Sequence, residues 1–163
     1  PLYKDEYKER YYDWDDKHEY GHKRLIEQIV SWRKANQIHN WFVENVQDGK
    51  DDCGCYEVTK GQLEELLDTC IKVKAASKLV DGKIKNGYTF KDGKETPIME
   101  EGKYIEDPTV AMKLLPAQSG FFFGSTDYDQ YYMWDIDYTI EKLLEILRTT
   151  DFDKEIVFYS SSW

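Results

Sequence analysis

Hydrophobic and polar positions follow two rhythms along this chain, and the switches between them mark its elements. Tyr3, Tyr7, Tyr11, Trp14 and His18 recur at three- and four-residue intervals, which predicts an aromatic-striped helix over 3–20. A second helical face runs from about Lys23 to Val46 through Leu25, Ile26, Ile29, Val30, Ile38, Phe42 and Val46, and Asp48-Gly49 stops it. Asp51 to Cys55 reads as a loop before a short strand at Tyr56-Glu57-Val58. Thr59 and Gln62 then form a capping box ahead of Leu63, Leu66, Leu67, Cys70 and Ile71, a helix ending near Ala76.

Over residues 81–106 the rhythm shortens. Asp81-Gly82, Asn86-Gly87, Asp92-Gly93 and Glu101-Gly102 are turn signals between short apolar runs, so one or two β-hairpins are expected there. Asp107-Pro108 opens a short helix through Leu115, and Phe121-Phe122-Phe123 reads as a buried extended segment. Gly124-Ser125-Thr126 caps a helix from about Asp127 to Thr149, with Trp134, Ile136, Ile140, Leu143, Leu144 and Leu147 facing inward. Glu155 to Tyr159 closes the pattern as a strand. The expected fold is α+β: a predominantly helical single domain over 1–163, with a β-hairpin insertion and a short C-terminal strand.

Composition narrows the chemistry. The 163 residues suffice for one core, and 15% aromatic content with 13 Tyr suits binding surfaces as well as damp interiors. A net charge of −10 argues against adhesion to duplex DNA or anionic lipid, yet a few Arg or Lys can still make a nucleotide pocket. No apolar run approaches a bilayer span, no secretory segment opens the sequence, and three Cys argue against a disulfide scaffold. The expectation is a cytosolic protein without membrane contact.

Two stretches carry candidate chemistry. On a helix, Arg33, Asn36 and Asn40 fall on one line with Gln37 beside them, flanked by the indoles of Trp32 and Trp41. Arg33 and Lys34 suit phosphate, Trp32, Trp41 or Tyr128 suit stacking on a base, and Asn36 and Asn40 suit a base edge. The plain alternative is a polar helix face whose indoles belong to the core. In Ser119 to Asp129, small residues and a helix start favour an anion, with Ser125, Thr126 and Tyr128 as hydrogen-bonding groups. Asp127 and Asp129 stand where that anion would sit, and helix-dipole stabilisation explains them equally well.

Neither a Walker loop nor a dinucleotide fingerprint occurs. Cys53-Gly54-Cys55 lacks zinc-site partners, and a thiol assisted by His39 has only residue type behind it. Asp51, Asp52, Asp127, Asp129, Asp135 and Asp137 could combine around a divalent metal, although solvated loops account for them too. No cofactor, metal or catalytic group is assigned.

From about Leu25 onward the chain resembles a family of small bacteriophage-encoded proteins. The likeness lies in Trp32 to Phe42, Gln47-Asp48-Gly49 with Asp51-Asp52-Cys53-Gly54, Gln118 to Asp129, and Tyr159-Ser160-Ser161-Ser162-Trp163. The family is functionally uncharacterised and sometimes labelled phosphoglycerate kinase, a label that this length and the missing nucleotide loop do not match. In it, Cys55 and the 81–106 region look variable, so function is not placed there. The resemblance implies a phage accessory protein acting in the host cytoplasm. The expected role is immune evasion by sequestering a nucleotide-derived signal without catalysis, in a pocket completed by a second protomer of a homo-oligomer. Two alternatives stay open: an acidic inhibitor of a host defence protein, including nucleic-acid mimicry, and a metal-dependent hydrolase of a signalling nucleotide.

Overall fold

Strand pairing opens the chain. In the computed structural model, which describes residues 27–120 and 124–162 together with the backbone of two short strands before them, β1 (Tyr12–Trp14) runs antiparallel to β2 (Lys23–Leu25). That pairing replaces helix at these positions; the rest of the helix expected over 3–20, and the strand expected at Phe121–Phe123, lie outside the described residues. Residues 1–31 and 32–163 form two compact units.

The second helical face begins later than its periodicity predicts. Residues 27–35 are irregular, and α1 (Asn36–Asn45) starts only after Lys34, whose φ of +62° is incompatible with a helix. Arg33 therefore does not share a helical line with Asn36 and Asn40, and Ile29 is exposed rather than inward. Asp48 and Gly49, at φ +51° and +73°, turn the chain out of α1, and the Gly49 N–H bonds the Val43 carbonyl at 2.8 Å.

β3 (Cys55–Val58) leads to α2 (Lys60–Ala76), whose capping box is formed as expected: the Thr59 hydroxyl accepts from the Gln62 N–H, and the Gln62 side chain accepts from the Thr59 N–H. α2 buries Leu63, Leu66, Cys70 and Val73, while Ile71 faces outward. β4 (Leu79–Lys91) and β5 (Lys94–Ile105) form one long antiparallel hairpin, turning at Asp92-Gly93. The other three turn signals sit inside the strands. Gly82 lies opposite Gly102, and a Cβ at Gly82 would fall 2.5 Å from the Tyr104 ring, while the Ile84 side chain fills the space over Gly102. These glycines are slots for neighbouring side chains, not corners.

α3 (Thr109–Leu114) follows, with Asp107 accepting from the Thr109 N–H at 3.0 Å. α4 (Gln130–Thr149) starts three residues after the expected Asp127, because Asp129 supplies the cap by accepting from the N–H groups of Tyr131 and Tyr132. Its inward face is Tyr132, Met133, Ile136, Thr139, Leu143 and Ile146; Trp134 and Leu144, expected inside, are 58% and 52% exposed. β6 (Val157–Ser160) pairs antiparallel with β3, setting Tyr56 opposite Tyr159. Tyr159 stacks on Phe42, ring centroids 3.9 Å apart, and so locks the last strand onto α1. Helices and antiparallel two-stranded sheets make an α+β architecture, in which strands of 13 and 12 residues are more than a small insertion. No helix of the described residues is long and apolar enough to cross a membrane.

Candidate ligand-binding cleft

The two stretches singled out in sequence do meet. Asn36 is 3% exposed; its Nδ2 donates to the Ser125 carbonyl at 2.9 Å, and its Oδ1 accepts from the Gln118 N–H at 2.8 Å. Gly124, at φ +81°, lies against Lys34, whose Cβ would stand 3.2 Å from any Cβ added there. The recess between them is therefore filled. Gln37, also buried, donates to Asp135 at 3.2 Å. The Trp32 indole donates to the Thr139 hydroxyl at 2.8 Å, and Trp41 is buried edge-on to Phe42. Asn40 is half-buried, and Arg33 and Lys34 are exposed. Most of this polar helix is framework, with its hydrogen bonds made inside the protein.

An open cleft lies on the other side of the same loop. It has a volume of about 410 Å³ and is walled by Lys83, Lys85, Met99 and Tyr104 of the hairpin and by Thr126 to Asp129. Four hydrogen bonds fix the wall: Ile105 N–H to the Tyr128 carbonyl at 2.9 Å, Lys103 N–H to Gln130 Oε1 at 2.9 Å, Tyr131 hydroxyl to Glu100 at 2.9 Å, and Asn86 to the other Glu100 oxygen at 2.7 Å. Across the cleft Lys85 meets Asp127 at 3.0 Å; that bond, with help from Tyr88, raises the ammonium above its ordinary range and keeps it charged. Tyr128 accepts from the Ala117 N–H at 3.0 Å and packs on Tyr132 with centroids 5.0 Å apart, so its ring is held in place. Asp129 is 2% exposed with one oxygen committed to the helix cap and the other buried without a partner, and burial pushes its carboxyl upward.

Of the sequence-derived candidates, Thr126 and Tyr128 line this cleft, and exposed Ser125 adjoins them. Lys83, Lys85 and Tyr104 were missed because the 81–106 region was read as variable. The available signal was Lys83-Ile84-Lys85, a strand alternation that sends two cations to one face.

Two other groups that could carry chemistry are tied up or buried. His39 Nδ1 lies 2.7 Å from the Tyr159 hydroxyl and its Nε2 3.2 Å from Asp51, while burial raises the Tyr159 phenol above its usual range and holds it neutral. Cys70 is buried and its thiol pushed up to about 12, too high for a nucleophile at neutral pH. Among the described residues, no group of three His, Cys, Asp or Glu side chains is placed to hold a metal ion. No protein family, curated protein or solved structure matches the chain, so the cleft is read from its own geometry.

Proposed function

We propose that this chain binds a nucleotide-derived small molecule in the cleft between the hairpin and the start of α4, and sequesters it without turnover. One observation carries the reading: two lysines and two tyrosines line a cleft of about 410 Å³, within the range of small-molecule sites. Lys83 and Lys85 suit a phosphate, Tyr104 and Tyr128 offer ring faces to a base, and Thr126 adds a hydroxyl. Ser125 lies at the rim. The resemblance to phage proteins gives this binding its purpose, as counter-defence in the host cytoplasm.

Calorimetry with AMP, GMP, UMP, their 3′,5′-cyclic forms and ADP-ribose tests the reading. The expected result is saturable binding of one or more, recovery of the ligand unchanged by chromatography, and weaker binding by Lys85→Gln. Silence across the panel overturns the reading; consumption of the ligand replaces sequestration with catalysis.

A second reading has its own observation. On the outer face of α4, Trp134 and Tyr138 are exposed beside exposed Asp137 and Glu141, an acidic aromatic stripe suited to a basic host protein. Trp134→Ala would abolish that contact and leave nucleotide binding intact.

A further inference from the structure

Two thiols sit in one turn and take no part in the cleft. Cys53 and Cys55 are both exposed, while Gly54 between them is partly covered. The covering groups are Asp52 and Tyr56: a Cβ at Gly54 would fall 2.7 Å from Asp52 Oδ1 and 2.7 Å from the Tyr56 ring. These two side chains are clipped together. The Tyr56 hydroxyl donates to the two Asp52 oxygens at 2.9 and 2.8 Å, and the Gly54 N–H donates to Oδ1 at 2.9 Å. The bond from Tyr56, with that from Gly54, holds the Asp52 carboxyl below its usual range and keeps it charged.

Covalent geometry sets the reach of the thiols. Cα atoms two residues apart are separated by at most about 7.2 Å, and a disulfide spans about 4.4–6.8 Å. Gly54 has no side chain to restrict its own rotation, so the pair can close at that one residue. A chain tied at both ends of the pair, at Asp52 and Tyr56, cannot straighten, which keeps the thiols near one another in the folded state. The turn also lies at a joint. Asp51 reaches His39 Nε2 on α1 at 3.2 Å, and Cys55 opens β3, on which β6 is paired.

We propose that Cys53 and Cys55 form an oxidation-sensitive dithiol, which a small disulfide compound converts into an intramolecular bridge. One thiolate attacks the compound, forms a mixed disulfide and releases the compound's first thiol. The second thiolate attacks the protein sulfur of that mixed disulfide, closing the ring and releasing the second thiol. The protein loses two electrons and two protons, and the compound takes up both as it becomes two thiols. Asp51 and Asp52 make the approach acidic, so a cationic compound is favoured over an anionic one. Cys70 takes no part, since it is buried and its thiol is pushed up to about 12.

Cystamine, a dication, together with its thiol cysteamine is the probe. The native protein should become lighter by two hydrogens, with peptide mapping placing the bridge at Cys53 and Cys55 and Cys70 still a thiol. Cys53→Ser and Cys55→Ser should each stop at a single mixed disulfide. At fixed cystamine and cysteamine concentrations the ring should be favoured about tenfold more in the folded protein than in urea, and Tyr56→Phe, which opens the clip, should lose about threefold of that preference. By linkage the bridged protein melts higher than the dithiol. Two mixed disulfides on one molecule, a bridge between two molecules, a ring no more favoured in the folded protein than in urea, or a bridged protein that melts lower overturns the proposal. None of these readouts depends on the cleft or on a nucleotide.

Discussion

The loop from Gly124 to Asp129 is held from two sides, and the two grips differ in kind. From α1, Asn36 holds the Ser125 carbonyl with a buried neutral amide, both ends of which are used inside the protein. From the hairpin, Lys85 holds Asp127 with a half-buried ion pair on the wall of an open cleft. A saturated buried amide has nothing left to offer a ligand, whereas an ammonium beside a cavity keeps donors to spare. Richness in hydrogen-bonding residues is therefore a poor guide to a site. What distinguishes a site is capacity left over after folding.

Removing the saturated grip should have the largest effect. Asn36→Ala leaves the Gln118 N–H and the Ser125 carbonyl without their partner, costing about 3 kcal/mol by thermal or urea unfolding. Nucleotide binding by the molecules that remain folded should be near normal. A stable Asn36→Ala protein that no longer binds would reverse the roles assigned to the two regions.

The framework also carries a measurable electrostatic cost. Burial raises the Asp135 carboxyl to about 6 from an ordinary 3.8, against the opposing hydrogen bond from Gln37. Between about pH 4 and pH 6 the folded protein holds a proton that the unfolded chain has released, so this group's contribution falls as pH rises through that window and stays low above it. Asp135→Asn should stabilise the protein at pH 7.5 by about 2 kcal/mol, allowing for residual solvent screening, and by almost nothing near pH 4. Equal effects at both pH values would locate the strain elsewhere.

On the cleft side, Lys85→Gln should lower affinity for a phosphorylated ligand about tenfold in calorimetry, or roughly 1.4 kcal/mol, with little change in melting temperature. On the same side of the comparison, Arg33→Ala comes last: Arg33 is exposed and is not among the residues that wall the cleft, so both stability and affinity should move by less than about 0.5 kcal/mol.

The sequence made local features plain. The Thr59–Gln62 capping box and the length of α2 need only contacts within one turn, and Asp92-Gly93 marks a two-residue hairpin turn by its own backbone preference. What long-range packing decides was not readable. Helical periodicity continues through Leu25 to Val30, but Lys34 breaks the helix where Trp32 reaches Thr139 on a distant element. Gly82 and Gly102 look like turn residues until the Tyr104 and Ile84 side chains are seen to occupy their missing side chains. Asn36 and the 118–125 stretch do meet, but whether Asn36 or Lys85 kept free capacity depended on partners 89 and 42 residues away.

The most direct measurement is a ¹H–¹⁵N NMR titration of the protein with whichever nucleotide of the panel binds. The cleft account predicts shifts clustered on the amides of Lys83, Lys85, Tyr104, Thr126 and Tyr128, with residues 36–41 quiet. Shifts confined to Trp32 through Trp41, with the hairpin unmoved, would contradict it.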